Sequence, residues 1–390
     1  MKKNIHIQII LIAAISIISN FAIAASDDHD HDHDHGAHDS DSQFYGHLDL
    51  RVHIDSITSA AESDEKFDEI YSHSHLELGM RLDENFTVNT NIKLEGESFG
   101  HAHGHGGEEE SANGDNRYFE EHPLLVEQLT LNYKNNDYSY YIGKFNPTIG
   151  FSYHSVPGIY GYSQIEEYTV REKVGMGGSI KYNANSYGSH ELDFSTFFSD
   201  TSILSESYNH QRGRTNQSSG GVGNTEDLSS FAVSLGGSDF YSLGNNNIIE
   251  GLSYRLGYAH QAKGVGNEED EDRYSASLGY KYQISNSISA KFVTELMDIE
   301  HLGGEAGHDR SHHTTALKLS YKAWNFGTSY THTRNDAEEE DESINGHVYQ
   351  ISGGYSFDNG IGFDLGYKYS DKEAEVKERI GAMISYDYEF

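Results

Sequence analysis

The strongest constraint on this chain is a two-residue alternation of apolar and polar side chains that returns in segments of about ten residues. In segment 46–54, Leu48, Leu50 and Val52 share one face of an extended chain, while Asp49 and Arg51 lie on the other. A strand with one apolar and one polar face has this period. No comparable helical period is present, and the chain has only 3 Pro. The sequence therefore predicts an all-β protein.

The predicted strands number about sixteen, and their connections alternate in length. Short turns are expected at 83–85, 134–137, 183–188, 240–247, 284–287, 322–324 and 357–360. Long loops are expected at 56–72, 98–122, 147–167, 199–226, 260–272, 298–312, 333–346 and 370–378. An even strand count with turns at one end and loops at the other is typical of a transmembrane antiparallel up-and-down β-barrel, with periplasmic turns and termini and extracellular loops.

Composition excludes several other classes of protein. The formal charge of −35 argues against a nucleic-acid binder, and the absence of Cys excludes disulfide scaffolds and thiolate metal sites. A mean hydropathy of −0.66 excludes a bundle of transmembrane helices. An aromatic content of 12% does not suit a disordered chain. A soluble acidic β protein and a membrane β-barrel remain, and only the barrel explains connections sorted by length.

The first residues predict export from the cytoplasm. Lys2 and Lys3 precede an apolar run over 9–18 and then Ala22-Ile23-Ala24, the pattern of a cleaved signal peptide over 1–24. A retained signal anchor is the alternative. Residues 25–42 are interpreted as a disordered periplasmic leader rich in His and Asp, and residues 43–390 as the barrel.

Basic residues within the strands fall almost entirely on the polar face, as a lipid-facing apolar surface requires. They are Arg51, Arg81, Lys93, Arg171, Lys173, Lys181, Arg255, Arg273, Lys281, Lys291, Lys318, Lys368 and Arg379. Fewer acids share that face: Asp49, Glu77, Glu95, Glu191, Asp193, Glu295, Asp364 and Asp387. The pattern predicts a wet lumen with a basic wall that favours anionic or neutral solutes.

The last segment alternates apolar residues from Ile380 to Tyr386, Tyr388 and Phe390. In this respect the sequence resembles Gram-negative outer-membrane porins. The resemblance implies a barrel of about sixteen strands in the outer membrane, surrounded by lipid and lipopolysaccharide. It also implies that the barrel-assembly machinery reads the three aromatic residues, and that the protein forms a homotrimer. A short tract, 220–231, weakly resembles the LbtU-type siderophore and metal porins.

The third long loop is predicted to narrow a pore. Residues 147–162 are aromatic, hold two of the three prolines and carry no acid, so packing inside the barrel is favoured over exposure to water. Porins fold this loop into the lumen, which is what the resemblance implies here. The expected constriction comprises Tyr153, His154, Tyr160, Glu166, Glu167, Arg171 and Lys173. A loop packed at a subunit interface is the alternative.

Histidines indicate metal binding in three segments, because neutral imidazole flanked by carboxylate suits Zn²⁺, Ni²⁺ or Cu²⁺. The leader contributes His29, His31, His33, His35 and His38. Two loops contribute His101, His103, His105, His308, His312 and His313. Ions would be held loosely, and no cofactor is required. The alternative is a solvated acidic tail with incidental histidines.

Together these features predict a passive porin for small solutes, with a possible link to uptake of metal ions or metal chelates such as iron–siderophores. A plugged receptor would need about 22 strands, for which the chain is too short. No Gly-x-Ser-x-Gly motif is present, so an enzyme is not expected. A barrel acting as a surface enzyme, adhesin or structural protein is the alternative.

Overall fold

A computed structural model describes residues 43–60, 65–96, 116–120, 122–152, 155–241, 249–337, 344–372 and 375–390. The predicted signal peptide and leader lie outside these residues. The strands are β1 (Phe44–Ser59), β2 (Asp68–Arg81), β3 (Phe86–Glu95), β4 (Arg117–Tyr118), β5 (Leu124–Lys134), β6 (Tyr138–Phe145), β7 (Lys173–Asn183), β8 (Ser189–Ser199), β9 (Ser230–Ser238), β10 (Leu252–Gln261), β11 (Glu271–Ser285), β12 (Ile288–Glu300), β13 (His308–Tyr321), β14 (Trp324–Ala337), β15 (Ile344–Ser356), β16 (Ile361–Lys372) and β17 (Glu375–Glu389). Within the described residues, one α-helix, α1, spans Gly161–Glu166.

Sixteen of these strands form a closed antiparallel barrel within the described part of the chain. Each pairs with the next around the barrel, and β17 pairs with β1 from His47↔Glu389 to Ser59↔Glu378. The two-residue β4 pairs in parallel with the loop end of β2, above the point where β3 ends. The predicted fold class, an up-and-down barrel of about sixteen strands, is confirmed. Among the described residues, no helix is long and apolar enough to cross a membrane.

The connections are sorted by length, as predicted, so the barrel has a turn end and a loop end. Ser285 and Ile288 bound the short turn between β11 and β12, whereas 27 residues, 146–172, separate β6 from β7. At the loop end, the strands are longer than the alternation indicates. β1 continues to Ser59. β16 ends at Lys372 and β17 begins at Glu375, where the sequence predicts a loop over 370–378. Strand segments that project beyond the lipid tolerate polar residues on both faces, so alternation gives no signal there.

The two faces of the sheet carry different side chains. Outward positions form an apolar belt of exposed side chains, such as Leu278, Leu365 and Ile380, at 42%, 54% and 53% exposure. The rings of Tyr280 and Tyr282 stack at the turn-end margin of this belt. A soluble protein does not expose so continuous an apolar surface, and a bilayer covers it. Inward positions are mainly polar, as the sequence predicts.

A new charge on β11 should change the stability of the barrel by an amount that depends on whether it faces lipid or the lumen. Leu278→Arg should destabilise the barrel by about 2–4 kcal/mol, because a guanidinium near the membrane midplane loses its water. The control is Gln283→Arg, which faces the lumen on the same strand and should change stability little. Urea unfolding in phospholipid vesicles measures both variants. Equal effects would contradict the assignment of the two faces.

Candidate pore constriction

The connection 146–172 between β6 and β7, named L3 here, folds into the barrel instead of leaving it. Its first half contacts three strands of the far wall. Ser275 Oγ on β11 donates a hydrogen bond to the carbonyl of Ile149. The backbone N–H of Phe151 donates to Glu295 Oε2 on β12 at 2.6 Å, and Gln350 Nε2 on β15 donates to the carbonyl of Pro157 at 2.6 Å.

Helix α1 carries L3 across the lumen to the opposite wall. On one side, Gln164 Oε1 accepts hydrogen bonds from Ser329 Oγ and Thr331 Oγ1 of β14, at 3.0 and 2.7 Å. On the other side, the ring of Tyr162 stacks on His73 of β2, with centroids 3.8 Å apart. A six-residue helix therefore bridges two sides of the barrel.

At the level of L3 along the barrel axis, apolar side chains fill the barrel interior. Its residues Ile149, Val156, Tyr162, Ile165, Tyr168 and Val170 form one buried apolar cluster with wall residues Phe145, Phe197, Ala232, Ala259, Met297, Ile299 and Ala316. The wall residues come from β6, β8, β9, β10, β12 and β13. Apolar packing of this density is what closes a protein core, so the loop occupies the lumen rather than lying loosely within it.

Four inward-facing glycines provide the space in which L3 lies. A Cβ atom at Gly257 would lie 1.9 Å from the carbonyl oxygen of Ile149, and one at Gly381 would lie 2.2 Å from Tyr160 Oη. The corresponding distances are 2.7 Å from Gly366 to Ile159 Cγ1 and 3.0 Å from Gly327 to Pro157 Cβ. These residues, on β10, β14, β16 and β17, are called the glycine track below. Any side chain at these positions would displace the loop.

Two consecutive carboxylates tie L3 to the wall by ion pairs. Glu166 contacts Arg171 within the loop and Lys93 Nζ on β3 at 2.8 Å. Glu167 contacts Lys372 Nζ at the loop end of β16, at 2.7 Å. The sequence anticipates the pair of Glu166 with Arg171 but not the two lysines. Lys173, expected opposite these acids, instead donates to Ser199 Oγ at 3.1 Å, because it opens β7 and lies beside β8.

The other predicted constriction residues divide into two groups. Tyr160 is buried beneath Lys368, whose Nζ lies 5.9 Å from the ring centroid, and its backbone N–H donates to Gln350. Its placement in the lumen agrees with the sequence-based expectation. Tyr153 and His154 lie outside the described residues.

A charged cluster joins L3 to the loop between β8 and β9. Glu172 accepts hydrogen bonds from Lys144 Nζ at 2.9 Å and Arg212 Nη1 at 2.7 Å, and Lys144 also lies 3.1 Å from Asp200. Burial alone would raise the pKa of Glu172, but Arg212 and Lys144 outweigh it and hold this pKa well below its ordinary value. The carboxylate therefore stays ionised across the physiological range of pH, and the two loops stay linked.

Several residues of the basic wall predicted from the sequence form ion pairs with acids of the wall. Arg51 pairs with Asp49 at 2.6 Å and Arg273 with Glu271 at 2.7 Å, while Lys93 contacts Glu95 in addition to L3. Arg255 donates to Ser234 Oγ at 3.0 Å.

Four lumen acids were absent from the predicted set: Asp55, Glu69, Glu127 and Glu271. Glu69 and Glu271 fell in predicted loops, and Asp55 lies between the alternating segment 46–54 and the predicted loop 56–72. Glu127 lies at a β-bulge between β3 and β5 that shifts the alternation.

Basic residues remain concentrated at the turn end. Lys281, Lys291 and Lys318 are direct cross-strand neighbours on β11, β12 and β13, all on the lumen face. Neighbouring positions of this kind place Cβ atoms about 5 Å apart. Arg81, the last residue of β2, lies at the same end of the barrel. Basic side chains of the described wall are therefore clustered at the turn-end mouth.

The predicted metal-binding histidines that the structure describes do not converge. His312 is buried toward the lumen and lies 3.0 Å from Thr333 Oγ1, while His313 points outward to Thr294. Successive residues of a strand face opposite sides, so these two cannot share an ion. His308 lies near Glu305, at 3.1 Å. In the described ranges, no three His, Asp or Glu side chains form a metal-ligand group. His29, His31, His33, His35, His38, His101, His103 and His105 lie outside those ranges.

The predicted assembly residues close the barrel seam. The backbone of Phe390 exchanges two hydrogen bonds with Gly46, at 2.8 and 2.9 Å. The rings of Tyr386, Tyr388 and Phe390 form a stacked row with centroid distances of 6.3 and 5.9 Å. Recognition of this row by an assembly machinery stays a prediction.

The glycine track predicts a position-specific effect of a single methyl group. Gly257→Ala should destabilise the barrel by about 1–3 kcal/mol and increase solute flux, because the new Cβ forces the backbone of Ile149 to move. Gly353→Ala is the matched control: it lies on the lipid face, where the nearest atom is 3.6 Å away. Chemical unfolding and liposome swelling measure the two effects. A Gly257→Ala variant indistinguishable from the control would contradict the close contact.

Comparison with solved structures identifies the fold. The chain matches the outer-membrane protein OmpT of Vibrio cholerae in its trimer form, with 13% identity, a TM-score of 0.51, and coverage of 88% of this chain and 98% of that one. It matches an anion-selective porin from Comamonas acidovorans with 12% identity, a TM-score of 0.50, and coverage of 89% and 98%. It matches OccAB3 of Acinetobacter baumannii with 11% identity, a TM-score of 0.50, and coverage of 89% of this chain and 99% of that one. No protein-family model and no curated protein sequence matches the chain.

These similarities show a shared fold. The chain is a closed sixteen-strand barrel with the fold of these outer-membrane proteins, and its apolar belt is a surface that a bilayer covers.

Proposed function

We propose that this barrel is a passive outer-membrane channel for small solutes, and that L3 sets its permeability. One observation carries the proposal: a long connection lies inside the barrel, bound to several strands of the wall by hydrogen bonds and ion pairs. A sixteen-strand barrel without an inserted segment leaves an aqueous channel. A loop that fills such a barrel therefore acts directly on what passes through it.

The structure favours low basal flux with modest charge preference. Apolar packing of L3 against the wall narrows the path, and paired charges give the lumen little net field. The lysine row of Lys281, Lys291 and Lys318 places three basic side chains at the turn-end mouth, an arrangement that favours anions over cations there. Small neutral or anionic molecules are thus the preferred solutes, and the preference over cations is modest. No catalytic role is part of the proposal.

The test is swelling of proteoliposomes in isosmotic solutions of neutral solutes graded by size. The smallest solutes should enter and larger ones should be excluded, at a rate proportional to the amount of folded barrel. Heat-unfolded protein is the control. Retention of even the smallest solutes, both by the whole chain and after removal of L3, would exclude a channel and favour the surface enzyme, adhesin or structural alternative.

We also propose that metal ions or metal chelates are among the solutes. The support is the density of histidine and carboxylate in segments 27–39 and 101–110 of the sequence, where imidazoles could collect cations beside the barrel. Uptake of labelled zinc and iron–siderophore should fall in a strain that lacks the protein and recover on complementation. Unchanged uptake under metal starvation would contradict this part of the proposal.

A homotrimer is proposed for the assembled state, in line with the trimer form of the similar Vibrio cholerae protein. The lipid-facing belt offers apolar surface that a second copy could cover as well as lipid does. Native mass spectrometry in detergent should give three times the mass of the mature chain. A single-copy mass in every detergent used would contradict it.

A further inference from the structure

Two histidines lie side by side on the lumen face of β2, directly under L3. His73 and His75 are two residues apart, so they share a face, and both are buried. Their Nε2 atoms lie only 3.3 Å apart, with the ring planes inclined at 67°. The ring of Tyr162 covers His73 from the L3 side.

The outer nitrogens of both rings face oxygen acceptors on neighbouring strands. His73 Nδ1 lies 2.7 Å from Glu95 Oε1. His75 Nδ1 lies 3.4 Å from Asn91 Oδ1 and 3.9 Å from Glu127 Oε2, and this carboxylate oxygen is buried without a hydrogen-bond partner. Acceptors at these positions favour a proton on each Nδ1. Each Nε2 then carries a lone pair, and the two lone pairs face each other.

This arrangement has the geometry of two ligands on one cation. With nitrogen–metal bonds of about 2.05 Å, a nitrogen–nitrogen distance of 3.3 Å corresponds to a bond angle of about 107°, close to tetrahedral. A metal-bound imidazole ordinarily donates its other N–H to a carboxylate or carbonyl oxygen, which is the role that Glu95 and Asn91 can fill. We propose that His73 and His75 bind a divalent transition-metal cation, of which Zn²⁺, Ni²⁺ and Cu²⁺ match imidazole best.

The site would be labile rather than structural. Two imidazoles are its protein ligands in the described part of the chain, which contains no group of three, so the protein would supply only two of the four positions of a tetrahedral ion. Glu77 follows on the same face toward the turn end, and Asp49 is the direct cross-strand neighbour of His75. Asp49 is paired with Arg51 at 2.6 Å, so Glu77 is the carboxylate of the two that would attract a cation toward the pair. The site is inferred from its own geometry and does not require that the barrel conduct solutes.

Zinc chloride added to the folded full-length protein in detergent tests the site. Binding to the native barrel should raise its unfolding temperature, because ligand that binds only the folded state stabilises it. The double variant His73→Asn/His75→Asn keeps an N–H donor near each Nδ1 position and removes both Nε2 atoms, so it should lose the zinc-dependent shift. The control variant His190→Asn/His260→Asn, on β8 and β10 away from the pair, should keep it.

Histidines elsewhere in the chain are unchanged in the double variant, so the difference from wild type reports on this pair. Equal zinc-dependent shifts in all three proteins would overturn the proposal. So would the absence of a shift in wild type, which would mean that the two rings share a proton instead of a metal. If the double variant does not fold, the single variant His75→Asn provides the test, since it retains the contact of His73 with Glu95. It too should lose the zinc-dependent shift in unfolding temperature. A shift as large as that of wild type would overturn the site.

Discussion

Replacing residues 148–169 with a short Gly-Ser-Gly linker should raise the flux of small solutes through the barrel severalfold and increase the size of the largest solute that passes. The excision removes α1 and the apolar cluster that fills the lumen. Phe145 and Lys173 are direct cross-strand partners, so a short linker can join β6 to β7 without strain. Single-channel conductance in planar bilayers, together with liposome swelling, measures the change.

The matched control shortens another long connection, 262–270 between β10 and β11, which joins adjacent strands at the loop end. Its conductance should remain at the wild-type level. Before their conductances are compared, both variants must be shown to be folded. A folded barrel migrates in an unheated SDS gel as a compact band, and the band shifts when the sample is boiled. If excising L3 leaves conductance unchanged in a folded barrel, L3 does not limit passage, and the proposed role of the loop fails.

Arg379→Met should destabilise the barrel strongly, by about 3–5 kcal/mol, because it leaves buried carboxylates without their cation. The guanidinium lies 3.2 Å from Asp55 Oδ2 on β1 and 2.6 Å from Glu69 Oε1 on β2, so it forms an ion pair with both acids. Both acids are almost inaccessible to water. Equilibrium unfolding in urea measures the loss.

Lys377→Met provides the comparison two residues away on the same strand. Lys377 pairs with Glu65 at 2.9 Å, but its side chain is 39% exposed, so losing the pair should cost at most about 1 kcal/mol. A large difference between the two variants is expected. Similar losses would mean that burial at the seam does not determine the cost of an unpaired charge.

The fold was predictable because a barrel wall repeats one simple rule. Lipid on one side and water on the other require strict alternation, and residues such as Leu278 and Lys281 occupy the faces that their chemistry predicts. The inward position of L3 was also predictable, since an apolar loop such as 147–162 is poorly solvated outside the barrel. These inferences use only local sequence.

The details of the constriction depend on which strands lie across the lumen from one another, and local sequence does not encode that. Glu167 meets Lys372 more than two hundred residues away in the chain. The glycine track alternates with ordinary strand residues and has no motif of its own. His73 and His75 lie within a strand and outside the histidine-rich tracts, so their signal in the sequence is the i, i+2 spacing on a lumen face.

The pairing of β1 with β17 also governs the kinetics of folding. Residues 47 and 389 must meet, so the seam has nearly the largest sequence separation that the chain allows, and its loop-closure entropy is lost before any seam contact forms. A chain truncated before β17 would leave β1 and β16 as long open edges, which pair readily with other chains. Closure of the seam therefore requires both β1 and β17, and a chain that lacks either strand is left as a substrate for aggregation or proteolysis.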